Sequence, residues 1–321
     1  MKVTAMTQSP SKTARGSVLL AVMCLVALLS FLVIMAASSA RLHGGFLEVH
    51  LGLLRARQLA EMGVAVAAHP LVKPGDPLLR REVTGIERFD VLVSTEEGRL
   101  NLNALLTEER LPILEAILAS WGFSPAEAQG TAAMLMDWVD ADDVKRRPDS
   151  AERMDYEQLG MPGMPLNRPF LSLDEVGLIP RMAEVMEVMP DWSSFFTLRG
   201  SGQLDVNTAT ARVLSALTGA TTSNAERLVE IRNGLDGIPQ TEDDQLLTNV
   251  DEALFLLGIT GPEATLMRPL LTLKGPTLRI ESIGTAGDAR CGLAVIVQGG
   301  GNALQIAEWS EFAVAPPTGQ L

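Results

Sequence analysis

Acidic residues are concentrated in one short segment, where their spacing could bind a metal ion. Seven of the nineteen positions from 137 to 155 are acidic: Asp137, Asp140, Asp142, Asp143, Asp149, Glu152 and Asp155. Hard cations such as Ca²⁺ take about six to eight oxygen ligands, which clustered carboxylates supply. The order Asp140-Ala141-Asp142-Asp143 lacks the alternating third acid and the glycine of an EF-hand loop. The segment is therefore a candidate metal site of another kind.

Two other interpretations of this acidic segment remain open. It could be a solvated loop neutralised by Lys145, Arg146 and Arg147. A carboxylate pair could also serve as the acid and base of a hydrolase. Because neither substrate-binding aromatic residues nor a nucleophile motif accompanies the acids, we predict that the protein is not an enzyme.

A second polar constellation, Gln203-Leu204-Asp205-Val206-Asn207-Thr208-Ala209, leads into two helical patterns. The arrangement resembles a helix-hairpin-helix or SAM-like unit, in which Asn207 and Thr208 are expected to cap the first helix. Nucleic-acid-binding versions of this unit need a basic surface, whereas this chain has a net charge of -13. We therefore predict a packing role and no nucleic-acid partner. The stretch Leu100-Asn101-Leu102-Asn103-Ala104 echoes Asp205-Val206-Asn207-Thr208-Ala209 of this second constellation and suggests two related helical subunits.

The N-terminal part of the chain predicts a membrane helix. Residues 17–40 are uncharged and mostly apolar, which is long enough to cross a bilayer. Three basic residues and no acidic one precede this run, which predicts a cytoplasmic N-terminus. Apolar residues then recur every three or four positions, so the helix should continue to about Ala68, before Pro70.

The rest of the chain predicts an α+β protein. The segment from Phe89 to Ser94 reads as a strand, and three more are expected at 277–283, 289–297 and 304–311. Helical patterns occupy the interval between the first strand and the other three, at 111–121, 124–139, 172–179, 181–189, 208–217, 223–233, 249–257 and 262–270. We expect one antiparallel sheet against the long helix, interrupted by a large helical insertion.

The junction Arg15-Gly16-Ser17-Val18 resembles the processing site of type IV prepilins. Cleavage there would follow Gly16 and make Ser17 the new N-terminus. The fifth mature position is Ala21, where most pilins carry Glu, and this omission resembles the subunit at a pilus tip. Further stretches resemble, in the same order, general secretion pathway protein K, the K-type minor pseudopilin family of type II secretion systems: Gly98-Arg99-Leu100-Asn101-Leu102-Asn103, Asp137-Trp138-Val139-Asp140-Ala141-Asp142, Asn167-Arg168-Pro169, Ser172-Leu173-Asp174-Glu175 and Val206-Asn207-Thr208-Ala209.

The resemblance implies a type IV pilin-like fold with an inserted helical domain. It also implies a place at the tip of the secretion pseudopilus with I-type and J-type minor pseudopilins, processing by prepilin peptidase with methylation, and contact with the inner-membrane secretion platform. The chain would cross the bacterial inner membrane once, with its bulk in the periplasm. The expected segments are a leader (1–16), the pilin helix (17–69), the first part of the β domain (70–98), the α-helical insertion (99–272), the C-terminal strands (273–314) and a flexible tail (315–321).

The resemblance further implies bound calcium. The family-like acidic positions are Asp137, Asp140, Asp142 and Glu152, with Asp143 and Asp155 as further candidates. Arg153 stands where the family tends to have another acid, which disfavours a two-ion site. Two other functions remain open: a membrane-tethered DNA-binding protein, which the hairpin-like unit suggests, and an anchored acid/base hydrolase.

Overall fold

The computed structural model describes residues 14–299 and 304–314, with side chains described for 18–36, 48–298 and 305–314. The expected tail and most of the expected leader lie outside the described residues, and the side chains of Gly16 and Ser17 are among those not described.

A single long helix, α1 (Ala14–Ala67), begins the structure. Its segment Val18–Ala36 has a mean hydropathy of 3.1, is fully exposed, and is long and apolar enough to cross a membrane. The helix ends within one residue of the predicted position, because Pro70 lacks the backbone N–H that would continue it. The predicted length and end of the helix are therefore confirmed.

Five strands form one antiparallel sheet: β1 (Arg80–Thr84), β2 (Glu87–Thr95), β7 (Thr277–Ala286), β8 (Ala289–Gly299) and β9 (Leu304–Phe312). They lie in the order β1-β2-β7-β8-β9, and β3 to β6 belong to the segment between β2 and β7. The four predicted strands are confirmed. Strand β1 was not predicted, because all five of its residues are exposed and no apolar alternation marks it.

The second half of α1 packs on this sheet with small residues at the contact. Ala56 and Ala60 are completely buried there. A Cβ atom added at Gly284 of β7 would lie 1.9 Å from the carbonyl oxygen of Ala56, and one added at Gly63 would lie 2.8 Å from Val91. The helix backbone therefore rests directly on the sheet, and the predicted α+β pilin-like architecture is confirmed.

A large helical insertion lies between β2 and β7. Its elements are α2 (Leu102–Leu105), α3 (Leu111–Ser120), α4 (Pro125–Val139), α5 (Arg153–Gln158), α6 (Met182–Val188), α7 (Ala211–Thr218), α8 (Thr222–Arg232), α9 (Val250–Leu256) and α10 (Gly261–Met267). Helix α4 shows why the helix starts were readable: Ser124 accepts a hydrogen bond from the Glu127 N–H, and Pro125 occupies the first turn. The insertion has its own core, separate from the one beneath α1.

The insertion is not purely helical, because it also contains four two-residue strands. The strand β3 (Leu100–Asn101) pairs in parallel with β4 (Phe196–Thr197), and β5 (Leu204–Asp205) pairs in parallel with β6 (Leu271–Thr272). Each pair closes one half of the insertion, in agreement with the echo between the two sequence constellations.

The echoed asparagines have equivalent roles in the two halves. The Asn103 side chain donates to and accepts from the backbone of Phe170, both at 2.9 Å. The Asn207 side chain does the same with Leu247, at 2.9 and 2.8 Å. The expected capping by Asn207 and Thr208 is wrong, because the helix begins later and Thr210 caps α7 through the Val213 N–H. Asn207 is used instead to hold a distant segment.

Candidate metal centre

Three of the predicted acidic residues converge on one point. One carboxylate oxygen from each of Asp140, Asp142 and Glu152 lies within 4.8 Å of the other two. Asp140 immediately follows α4, and Glu152 immediately precedes α5. The connection between the two helices folds back so that both ends present carboxylates to the same space.

Buried aromatic rings hold these two helices together. Trp138 of α4 and Tyr156 of α5 are fully buried, with ring centroids 5.5 Å apart in an edge-to-face arrangement. The Phe170 ring stacks on Trp138, with ring centroids 6.1 Å apart. Since aromatic pairs of this geometry add to the stability given by burial alone, these contacts stabilise the framework that positions the acids.

The acids at this point are short of hydrogen bonds. Both carboxylate oxygens of Glu152 and one of Asp140 are buried without a partner among the described residues. The Glu152 residue is only 3% exposed. Burial, together with the charges of Asp137 and Asp140, raises the pKa of Glu152 to about 7. An unpaired buried carboxylate costs several kcal/mol unless a cation compensates it, so the donor set fits a hard cation.

One arginine partly offsets the negative charge. The Arg146 Nε lies 3.4 Å from Asp140 Oδ2 and 3.5 Å from Asp137 Oδ1. The Arg146 guanidinium also pairs with Glu108 on its other side. A single guanidinium shared in this way leaves the acids of the centre with an excess of negative charge.

The other predicted ligands are placed differently. Asp137 is fully buried, accepts a hydrogen bond from the Ser150 hydroxyl, and accepts another from the Arg146 N–H at 3.2 Å. Burial raises the pKa of Asp137 above its usual value. Its hydrogen bonds shape the connection between α4 and α5, so Asp137 supports the centre and does not join the three converging oxygens.

Asp143 and Asp155 are paired with basic residues outside the centre. Asp143 lies 3.2 Å from Arg153, and Asp155 lies 2.6 Å from Lys145. Asp155 also accepts the N–H of Glu152 at 2.9 Å, which orients the start of α5. Neither carboxylate contributes to the converging group.

Asn167 is a residue of the centre that sequence reasoning did not assign. Its Nδ2 lies 3.5 Å from the Asp142 carbonyl oxygen, and its buried Oδ1 has no partner within the described part of the chain. Its backbone has φ 47°, a left-handed conformation that asparagine tolerates better than most residues. The signal was present in the motif Asn167-Arg168-Pro169, but only the fold brings that motif beside Asp142.

In the hairpin-like unit formed by α7 and α8, the basic residue at the end of α8 makes its contacts inside the protein. Arg232, the basic residue that ends α8, is 6% exposed and donates to the carbonyl oxygens of Val206 and Ala209 at 3.0 and 2.8 Å. Its guanidinium therefore binds backbone inside the insertion, which agrees with the predicted packing role.

Part of this chain is similar in sequence to a known protein family. Residues 98–189 match the family model described as type II secretion system (T2SS), protein K. The matched range contains Asp140, Asp142, Glu152 and Asn167. The type II secretion system protein K of Pseudomonas aeruginosa (strain PAO1) is 29% identical over 160 residues, which cover 48% of this chain and 46% of that protein. This chain thus aligns with about half the length of that curated relative.

A solved structure extends the similarity over most of the chain. A chain in the crystal structure of the GspK-GspI-GspJ complex from enterotoxigenic Escherichia coli superposes with a TM-score of 0.59. The superposition covers 86% of this chain and all of that chain, at 14% sequence identity. The three matches confirm the resemblance to the K-type pseudopilin family, and the structural one confirms the fold.

Proposed function

We propose that this chain is a minor pseudopilin that caps the tip of a type II secretion pseudopilus and so supports the export of folded proteins across the outer membrane. One observation carries the proposal: an apolar helix extends away from a sheet on which its own second half packs, and a large helical insertion interrupts that sheet. The first part suits lateral packing among similar helices. The second part makes this subunit too bulky to be followed by another.

The proposed mechanism is mechanical. The exposed apolar segment Val18–Ala36 would leave the bilayer by exchanging lipid for the helices of neighbouring subunits. A carboxylate in the membrane costs on the order of 3 kcal/mol, and in pilins it pairs with the terminal amine of the neighbouring subunit. Because Ala21 carries no carboxylate, this chain does not need the terminal amine of a neighbouring subunit. A subunit without that need is suited to be the first in a filament.

The proposed membrane arrangement is a single pass through the bacterial inner membrane, with the N-terminus in the cytoplasm and the sheet and insertion in the periplasm. Prepilin peptidase would cut after Gly16 and leave Ser17 as the N-terminus. The mature helix would then assemble with I-type and J-type minor pseudopilins on the inner-membrane secretion platform. These partners are consistent with the GspK-GspI-GspJ complex in which the structural relative was solved.

The centre between α4 and α5 is proposed to bind one structural calcium ion. Asp140, Asp142 and Glu152 would hold it, and the Asn167 side chain stands beside them with an unpaired oxygen. Calcium would supply positive charge to buried carboxylates that otherwise repel one another. The pairing of Asp143 with Arg153 and of Asp155 with Lys145 supports one ion rather than two.

The experiment that tests the proposed function uses the full chain co-expressed with prepilin peptidase and candidate minor pseudopilins. Mass spectrometry of the membrane-extracted protein should find Ser17 at the N-terminus, and affinity purification should recover the I-type and J-type partners. A Gly16→Leu variant is the matched control and should retain its leader. A wild-type product that begins at Met1, or that recovers no partner, would contradict the proposal.

A further inference from the structure

A cleft whose lining includes charged residues lies between the pilin-like sheet and the helical insertion. Its volume is about 310 Å³. The sheet contributes Arg279 and Glu281, the insertion contributes Phe195, Thr208 and Arg212, and Arg99 lies at the junction between the two. The cleft adjoins the crossing from β2 into the insertion and lies outside the acidic centre.

Two of the three arginines form hydrogen-bonded ion pairs with acidic side chains of this chain. Arg279 donates to Glu281 at 2.6 Å and to the buried Glu96 at 2.8 Å. Arg212 pairs with Asp191 and places its guanidinium carbon 4.8 Å from the centre of the Phe195 ring. These two side chains therefore line the cleft already paired with acids of this chain.

Arg99 differs from both. Its guanidinium is 3.7 Å from Glu281 Oε1, an oxygen already bound by Arg279, and in the described residues no acceptor lies within hydrogen-bonding distance of it. The side chain is only 30% exposed. Burial and the charge of Arg279 lower the pKa of Arg99 despite the opposing charges of Glu96, Glu281 and Glu308, so these acids compensate the cation incompletely. A guanidinium carries five donors in a planar fork that matches a carboxylate.

We propose that the Arg99 cleft binds a carboxylate group carried by a neighbouring minor pseudopilin. This inference rests on the proposed function for its partner. The chain carries a net charge of -13, which disfavours the approach of free anions from solution. A carboxylate on a docked subunit is held at the cleft by the contacts of the whole interface. Its binding therefore does not depend on electrostatic attraction from solution. The position of Arg99 between the sheet and the insertion would make the contact sensitive to how both parts are oriented.

The test introduces at position 99 an amine that can form a covalent bond with a contacting carboxylate. The full-length Arg99→Lys chain, in its complex with the I-type and J-type subunits, is treated with a water-soluble carbodiimide. The reagent activates a contacting carboxylate, the introduced amine displaces the activating group as a urea, and an amide bond remains. Arg88→Lys is the matched control, because Arg88 lies on the adjacent strand β2, is 58% exposed and already pairs with Asp90.

Mass spectrometry should find an amide between position 99 and an acidic residue or C-terminus of a partner, and none to a partner from position 88. A cross-link from position 99 only to this chain's own acids, such as Glu281, in a complex that purifies normally would overturn the cleft proposal and leave the proposed function intact. Failure of the wild-type chain to recover any partner would overturn both.

A second variant does not depend on cross-linking. Arg99→Gln should reduce partner recovery roughly tenfold or more, because a charge-assisted contact is lost, whereas Arg88→Gln should leave recovery unchanged. The melting temperatures of the Arg99→Gln and Arg88→Gln chains are first compared without partner subunits, to establish that both chains are folded. Full recovery by a folded Arg99→Gln chain would overturn the proposal.

Discussion

The side-chain amide of Gln240 pairs with the backbone of Val93 in both directions. The Val93 N–H donates to Gln240 Oε1 at 3.3 Å, and Gln240 Nε2 donates to the Val93 carbonyl oxygen. Val93 belongs to the half of β2 that extends beyond its pairing with β1, which ends at Asp90. One side chain of the insertion thus substitutes for a missing strand, and it joins the insertion to the pilin sheet.

Gln240→Ala should destabilise the chain by about 1–2 kcal/mol, because two backbone groups lose their partner. Thermal unfolding of the detergent-solubilised full chain measures this loss. Gln245→Ala is the matched control, since Gln245 lies in the same segment with an exposed side chain. Equal melting temperatures for the two variants would mean that the Gln240 contact contributes nothing.

Gly284→Ala should separate α1 from the sheet. The new Cβ would lie 1.9 Å from the Ala56 carbonyl oxygen and 2.6 Å from the Ala60 nitrogen, and both are backbone atoms that cannot rotate away. We expect a loss of at least about 2 kcal/mol in unfolding free energy. Gly85→Ala is the control, because no atom lies within 4 Å of its added Cβ. A Gly284→Ala chain as stable as Gly85→Ala would contradict the close helix-sheet packing.

Glu152→Gln should have opposite effects with and without calcium. In excess chelator at pH 8 the substitution removes an uncompensated buried charge, so the melting temperature should rise. In millimolar calcium the wild-type chain should gain stability that the variant lacks, because a ligand bound to the folded state stabilises it. Asp143→Asn, which disrupts an exposed ion pair, should keep the calcium response. A calcium-dependent rise that survives Glu152→Gln would exclude Glu152 as a ligand.

The metal-free chain should lose stability as the pH rises. The pKa of Glu152 is about 7 in the folded chain against a usual value of 4.5, so the folded state keeps a proton that the unfolded state has released. Stability from this group is complete below about pH 4.5 and is lost as the pH rises through about 7, by roughly 3 kcal/mol. Denaturant titration in chelator measures it. The Glu152→Gln chain should lack this slope, and identical slopes would contradict the assignment.

Several elements were predictable because neighbouring residues determine them. The length of α1 follows from an uninterrupted apolar run and an amphipathic continuation that Pro70 ends. The start of α4 follows from Ser124 and Pro125, which satisfy local backbone requirements. Strand β7 was visible because buried and partly exposed residues alternate from Ile280 to Gly284. Strand β8 was visible as a short apolar run, and its residues Leu293 to Val297 are all buried.

Strand β1 and the role of Asn207 were not predictable in the same way. Every residue of β1 is exposed, so hydrogen bonding to β2 defines it without an apolar signal. Asn207 has the sequence context of a helix cap, but its side chain bonds Leu247, forty positions away. A polar side chain can satisfy a local or a distant backbone group, and the sequence does not distinguish the two.

The acidic centre was likewise predictable from the sequence only in part. The sequence by itself determined that carboxylates cluster between α4 and α5, and that a basic flank accompanies them. Only the tertiary structure decided that Asp140, Asp142 and Glu152 converge, that Asp137 turns to Ser150 and Arg146, and that Asn167 joins from a later segment. The reason is physical: composition and periodicity act over a few residues, whereas the charge and burial of a site depend on which distant segments pack around it.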